Sequence, residues 1–384
     1  MGHGLPRNRG SASGIEGAVL SRRWRMLVSW RVRLTHWEYW PPWVTYVPVA
    51  AYALWLILKY RSVTAFTAAN PAIVASGFIG ESKIDILRGL GASRDRVARS
   101  GLIDRALSVD AKIARAEQVM RAHTLDLPVV LKPNEGQRGA GVVVARTRPE
   151  LIAYLQHSCG DVIVQEYVPG LEFGVFYVRR PSESRGRILS ITDKRLPAVV
   201  GDGQRTLEQL ILTDRRTLGM ARFHLRRHAD AHLEIPARGQ IVSLGDCGSH
   251  CRGATFLDAR SRVTPELERA FDDVARAYDG FYFGRFDVRV PSVEAFAAGR
   301  GFKILELNGV TSEATHIYDP DVSVLDAYRA LFEQWRLAFE IGAENIARGA
   351  TATSVMELAR LVGRYRTSSR RWESVDFSSR RYSV

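Results

Sequence analysis

The chain has 384 residues, of which 46% are hydrophobic and 25% charged, a composition that excludes a wholly disordered protein and suffices for two or three cooperating lobes. Its formal net charge of +13 points to anionic partners such as nucleotide phosphates, lipid head groups or nucleic acid. Three cysteines, Cys159, Cys247 and Cys251, are too few for a disulfide framework and fit a reducing cytosol.

Residues 1–40 read as a basic flexible arm, with glycines early and Arg22, Arg23, Arg25, Arg31 and Arg33 later. Residues 41–60 are apolar: Trp43 to Tyr60 carries no charge before Lys59, which predicts a helix of roughly 25 Å against a hydrocarbon core of about 30 Å. Trp37, Tyr39 and Trp40 crowd one end, while Lys59, Tyr60 and Arg61 close the other, as at a lipid interface. Pro48 would kink it. The expectation is a membrane-associated helix, spanning or lying in the plane; the alternative is a core helix. In residues 61–125, an N-terminal α/β region, Phe66 to Ser82 reads as loops around short strands. Lys83 to His123 reads as helical on the spacing of Ile84, Leu87, Ile103, Leu107, Ile113 and Met120. Leu127–Leu131, Val142–Ala145 and Val162–Val168 read as strands, with a helix over Pro149–Gln156. Strands and helices alternate onward to Glu306, so the fold class is α+β (α/β). Leu331 to Leu361 is helical, and the Ser/Arg-rich end after Arg366 reads as disordered.

Three runs carry chemistry. In the first, a strand ends in Lys132 and a loop with Gly136, Gly139 and Gly141 leads to a second strand. Glycines let backbone N–H groups approach phosphate oxygens, and the lysine adds a point charge. In the second, a strand ending at Glu166, Tyr167 and Val168 breaks at Pro169-Gly170, leaving backbone groups for an adenine edge; Glu172 beyond the turn can accept ribose hydroxyls. In the third, strand alternation puts Arg285, Asp287 and Arg289 on one face, and Glu306 and Asn308 on one face of an answering strand. If these strands pair, Asp287, Glu306 and Asn308 offer oxygen ligands at one spot, as magnesium prefers. A cluster of His224, His228 and His232 at helical spacing, followed by Cys247, His250 and Cys251, fits no standard zinc finger and reads as surface histidines and buried thiols. The basic ends lack an aromatic-basic recognition motif, so nucleic acid is not an expected partner.

In this order the three runs resemble the ATP-grasp superfamily, in the branch of D-alanine–D-alanine ligase, bacterial glutathione synthetases and cyanophycin synthetase, over roughly Glu81 to Pro320. The resemblance implies two α+β lobes that clasp ATP. The small lobe falls in residues 126–200, the large lobe with its metal site in 201–330, and a C-terminal helix and basic tail in 331–384. Lys132 matches the lysine on the α- and β-phosphates, and Lys83 matches loosely an earlier phosphate lysine. Gly136 to Gly141 matches the closing loop, Glu166 to Val168 the adenine hinge, and Glu172 the ribose ligand. Asp287, Glu306 and Asn308 match ligands of Mg²⁺, for which Mn²⁺ can substitute, and Arg285 matches an arginine on the transferred phosphoryl group. Asp193 to Thr206 resembles a segment of the cyanophycin and fused glutathione synthetases, where Lys194 would face ATP phosphates or an acyl phosphate. Asn308-Gly309-Val310-Thr311-Ser312-Glu313 departs from the Asn-Thr-x-Pro-Gly loop of D-alanine ligases, which argues against D-alanine as substrate. His316 and Tyr318 could line an acceptor pocket. The implied activity is an ATP- and Mg²⁺-dependent ligase joining a small-molecule carboxylate to an amine. The implied location is cytoplasmic, on an anionic inner membrane surface. A kinase or carboxylate–thiol ligase on the same fold, or a non-catalytic membrane-tethered nucleotide-binding protein, are the alternatives.

Overall fold

The structure is a computed structural model that describes residues 24–31, 37, 40–136, 139–245 and 254–373. The described strands are β1 (Ser100–Ile103), β2 (Val129–Pro133), β3 (Val143–Ala145), β4 (Val162–Glu166), β5 (Leu171–Val178), β6 (Arg187–Arg195), β7 (Ala198–Val200), β8 (Ile241–Ser243), β9 (Thr255–Asp258), β10 (Phe283–Val290) and β11 (Lys303–Asn308). The chain forms two units, one drawn from Met1–Thr45 with Leu196–Gly245, the other from Tyr46–Arg195 with Asp246–Val384.

The larger unit holds two antiparallel sheets. The first has the order β1-β4-β2-β3. Helices Val109–Ala122 and Arg148–His157 cover it, each begun by a hydroxyl cap: Ser108 accepts from Ala111 N, and Thr147 from Glu150 N. Ala116, Val119, Leu151, Tyr154 and Leu155 bury against Val129, Leu131, Val162 and Val164, and Trp372 joins them from the far end of the chain. The second sheet has the order β11-β10-β5-β6-β9. β5 and β6, which fall within the sequence span 126–200, therefore lie in this sheet. Alternation along β10 turns Phe286, Val288 and Val290 into a core with Leu267, Phe271 and Val274 of helix Pro265–Ala277. Each such side chain, fully buried, contributes roughly 1.5–3 kcal/mol. The opposite face of β10 carries Arg285, Asp287 and Arg289.

Helices Val47–Tyr60 and Val324–Ala347 pack side by side in the same unit, with Tyr52 stacked on Phe332 at 4.5 Å and Tyr60 against Phe339 at 5.9 Å. These pairings make the helices parallel. In the smaller unit, β7 pairs with β8, and helices Leu207–Thr213 and Ala221–Arg227 close a core of Val199, Leu207, Leu210, Ile211, Ala221 and Leu244. A helix over 24–31 docks on it, Ser29 Oγ donating to Leu218 O at 2.6 Å and Arg25 to Leu212 O at 3.1 Å.

Several expectations are corrected. The apolar helix is interrupted at Tyr46, and its main part, Val47–Tyr60, has 14 residues, about 21 Å. Among the described residues no helix is long and apolar enough to cross a membrane. One face of it is a core face after all, with Val49 and Leu56 buried. Residues 24–31, within the arm read as flexible, are helical. Phe66 to Ser82 contains 3-10 turns and no strand. The helix expected over Lys83–His123 is split by β1, because Ser100-Gly101-Leu102-Ile103 alternates half-buried and buried against β4. The C-terminal helix is two helices, Val324–Ala347 and Val355–Glu373, parted at Gly349, whose φ of +99° suits glycine alone. The second continues beyond Arg366, where the sequence reads as disordered.

Candidate functional site

The second sheet builds a charged face in the larger unit. Residues that face each other across its strands are Asp287 and Glu306, Arg285 and Asn308, Arg289 and Glu172, and Glu172 and Lys194. Strand periodicity thus collects residues up to 136 positions apart, Glu172 to Asn308, onto one surface. Lys194 Nζ lies 2.8 Å from Asp287 Oδ1 and 3.6 Å from Glu172 Oε1. Arg285 grips both Asp287 oxygens, at 2.8 and 3.2 Å, and donates through Nη1 to Glu313 O at 2.8 Å. Asn308 Nδ2 donates weakly to Asp287 Oδ2 at 3.4 Å. Arg289 donates to Glu172 Oε2 and to Val168 O.

The first sheet and its neighbours add more cations. Lys83 Nζ lies 2.6 Å from Glu306 Oε1. Asn134 places this lysine: its Oδ1 accepts from Ile84 N, its carbonyl from Lys83 N, and its Nδ2 donates to Ser82 Oγ. Lys132 Nζ donates to Leu305 O at 3.0 Å, as does Gln165 Nε2. Burial opposes the charge on Asp287, but Arg285 and Lys194 outweigh it and hold the carboxyl well below its ordinary range. Glu306 is likewise lowered against burial, by Lys83 and Lys132, and Lys83 is in turn raised against burial by Glu306. The result is one network in which Lys83, Lys132, Lys194, Arg285 and Arg289 surround Glu172, Asp287 and Glu306.

Other candidates stand differently. Gly136, Gly139 and Gly141 lie on the β2–β3 connection with φ of +150°, +71° and +71°; Gln137 and Arg138 between them are outside the described residues. A Cβ on Gly141 would meet Pro133 Cγ at 2.8 Å and Trp372 at 3.0 Å, so packing as well as backbone conformation requires glycine there. The Glu166 carboxylate is held by Arg99 at 3.0 Å from both sides, and the Tyr167 ring faces the Arg289 guanidinium at 5.5 Å. Of the residues expected to form an adenine hinge, Glu166 and Val168 therefore already have protein partners, through the carboxylate and the carbonyl. His224 is fully buried rather than on the surface, and helix Ala221–Arg227 ends before His228, so the three histidines do not share a helical face. Cys247, His250 and Cys251 lie outside the described residues.

Four residues escaped sequence reasoning. Glu81 is half-buried and its carboxyl is raised by burial, with Oε2 lacking a hydrogen-bond partner among the described residues. Gln165 and Asn134 act through backbone atoms distant in sequence. Gly174 lies beneath Asp287 and is the one with a visible signal, an isolated glycine inside a strand, which marks close approach by other groups. Next to Arg285, Tyr318 donates to Glu313 Oε2 at 2.7 Å, and burial raises Glu313.

The oxygen donors fit a hard divalent cation: Asp287 and Glu306 are adjacent ionised carboxylates and Asn308 adds an amide oxygen. No three His, Cys, Asp or Glu side chains among the described residues form a metal cage. A set of two carboxylates matches magnesium, which takes its remaining ligands from water and phosphate.

No protein-family model matches the sequence, and no curated protein matches it. Solved structures do resemble the fold. They are ligases. A bifunctional glutathione synthetase from Pasteurella multocida is 17% identical with a TM-score of 0.36, the match covering 66% of this chain and 36% of that one. A D-alanine–D-alanine ligase from Bacillus anthracis is 14% identical with a TM-score of 0.41, covering 70% and 69%. A D-Ala:D-Ser ligase from Enterococcus faecalis is 14% identical with a TM-score of 0.38, covering 66% and 61%. This chain thus spans about a third of the length of the glutathione synthetase. Glutathione synthetases and D-alanine ligases are among the enzymes the sequence resembles.

Proposed function

We propose that the chain is an ATP-grasp ligase that uses ATP with Mg²⁺ to activate a carboxylate for attack by an amine. The observation that carries this reading is the network on the second sheet, in which five cationic side chains meet three carboxylates. Such a surplus of positive charge suits a polyphosphate, and the two adjacent carboxylates suit the cation that accompanies it. In this reading Asp287, Glu306 and Asn308 hold Mg²⁺, which when bound would neutralise phosphate charge. Lys132 and Lys83 hold the α- and β-phosphates, and Glu172 exchanges Arg289 for the ribose hydroxyls. Lys194 and Arg285 face the transferred phosphoryl group and stabilise the charge that develops on it. The carboxylate oxygen of the substrate attacks the γ-phosphorus and ADP leaves. The amine nitrogen then attacks the acyl carbon, phosphate departs, and the nitrogen gives up a proton. Glu313 with Tyr318, beside Arg285, forms the side from which the amine approaches.

Titration with adenylyl imidodiphosphate and Mg²⁺ tests the binding half, and ADP release over a panel of carboxylates and amines tests the rest. Lys132→Ala should weaken analogue binding at least tenfold, since a charge-assisted contact is removed from a partly dry cleft. Glu306→Ala should abolish ADP release while far-ultraviolet circular dichroism stays unchanged. An unaltered Kd in the first variant, or full turnover in the second, would overturn the assignment.

A further inference from the structure

The helix Val47–Tyr60 has a second face that the fold leaves open. Val49, Tyr52, Leu56, Ile57 and Tyr60 turn toward the core shared with Val324–Ala347. Val47, Ala50, Ala51, Leu54, Trp55 and Leu58 recur at the same three- and four-residue spacing, and every one is exposed. Leu54 is 62% exposed, Leu58 76% and Trp55 49%. A helix apolar all round is ordinarily buried on all sides, so this stripe calls for a partner outside the chain.

We propose that this face lies in the head-group layer of an anionic membrane, with the helix parallel to the surface. The charge pattern selects that occupant. Lys59 and Arg61 are exposed at the end of the stripe, and no Asp or Glu occurs between Glu38 and Glu81. Lys59 Nζ sits 5.2 Å from the Trp55 and Tyr60 ring centroids, an arrangement of aromatic rings and cation suited to the interface. A second copy of the chain fits less well. A parallel two-fold pairing of the helix sets its cations against each other. An antiparallel one sets them against the positive end of a helix whose first turn holds no acid. A length of about 21 Å is too short to span but suffices to lie in the interface.

Flotation of the full chain with vesicles of phosphatidylcholine, and of phosphatidylcholine with phosphatidylglycerol, tests the assignment. The chain should bind the anionic vesicles and retain most of that binding at about 1 M salt, where the screening length falls to about 3 Å. Leu54→Glu with Leu58→Glu should reduce binding at least tenfold without shifting thermal unfolding, because both side chains are exposed. Lys59→Ala with Arg61→Ala should weaken binding to the anionic vesicles alone, by about fivefold per charge. The proposal fails if the chain ignores both vesicles, if the glutamates leave binding intact, or if salt removes it. It also fails if the wild-type chain instead dimerises in solution in a manner the glutamates abolish.

Discussion

Gly174 faces Asp287 across β5 and β10, and three side chains fill the room it leaves. A methyl group there would lie 3.2 Å from Arg285 Cδ, 3.3 Å from Lys194 Cε and 3.4 Å from Asp287 Oδ1. Each contact is tight rather than impossible, and the two cationic stems are the parts that can yield. Overpacking of this kind costs roughly 1–3 kcal/mol. Gly174→Ala should therefore fold, with a thermal midpoint lower by several degrees, yet bind the ATP analogue several-fold more weakly because Lys194 and Arg285 are displaced. Paired calorimetry and thermal unfolding check this. Loss of stability with binding untouched would make Gly174 a packing residue and nothing more.

Among the elements, the helix Val355–Glu373 ties distant parts of the larger unit together. Leu361 packs on Ala75 and Ile79, and a Cβ on Gly80 would reach it at 2.9 Å. Eleven residues on, Trp372 stacks on Tyr154 at 6.3 Å, and Tyr154 donates to Gly141 O at 2.7 Å. Trp372→Ala empties a large buried site and should cost about 3–5 kcal/mol, read as a lower urea midpoint with an unchanged slope. A midpoint within error of wild type would mean that the end of the helix does not hold the first sheet. Nothing in the Ser/Arg-rich sequence around Trp372 announces this contact, because the tryptophan's partners lie more than 200 residues earlier. The same limit separates what was legible from what was not. Lys132 ends an apolar strand, and Asp287, Glu306 and Asn308 interrupt apolar ones, so local pattern singled them out. The strand β1 was hidden because four residues fit a helical spacing as easily as an alternating one. Asn134 and Gln165 touch the network only through tertiary contacts, and no local pattern marks such residues. The second face of Val47–Tyr60 was legible as apolar, but only packing reveals which half of it is covered.

At the scale of the whole molecule, buried titratable groups set the response to acid. Burial lowers His224 to about 4 and lowers His316 below its ordinary value as well. Unfolding returns such a side chain to about 6.5, so between those values the unfolded chain binds more protons than the folded one. Stability contributed by the neutral rings is complete above pH 6.5 and falls as pH drops toward 4, by about 2–3 kcal/mol for His224. Asp287 and Glu306, lowered by their cationic neighbours, extend the loss further into acid. Urea midpoints at pH 7, 5.5 and 4.5 should decline in that order, and a flat series would contradict the burial of these rings.

The register of β6 and β9 has a consequence for how such a chain can diversify. Arg195 and Thr255 are direct cross-strand partners, so everything between them, including the smaller unit's residues 196–245, is topologically the loop of one hairpin. Lys194 stands a single residue before the point of departure. A segment rooted in this way can be lengthened, shortened or exchanged as a cassette without re-threading the sheet, since loop closure grows only slowly more costly with length. Variation inside the cassette then leaves the strands that fix Asp287 and Glu306 as they are.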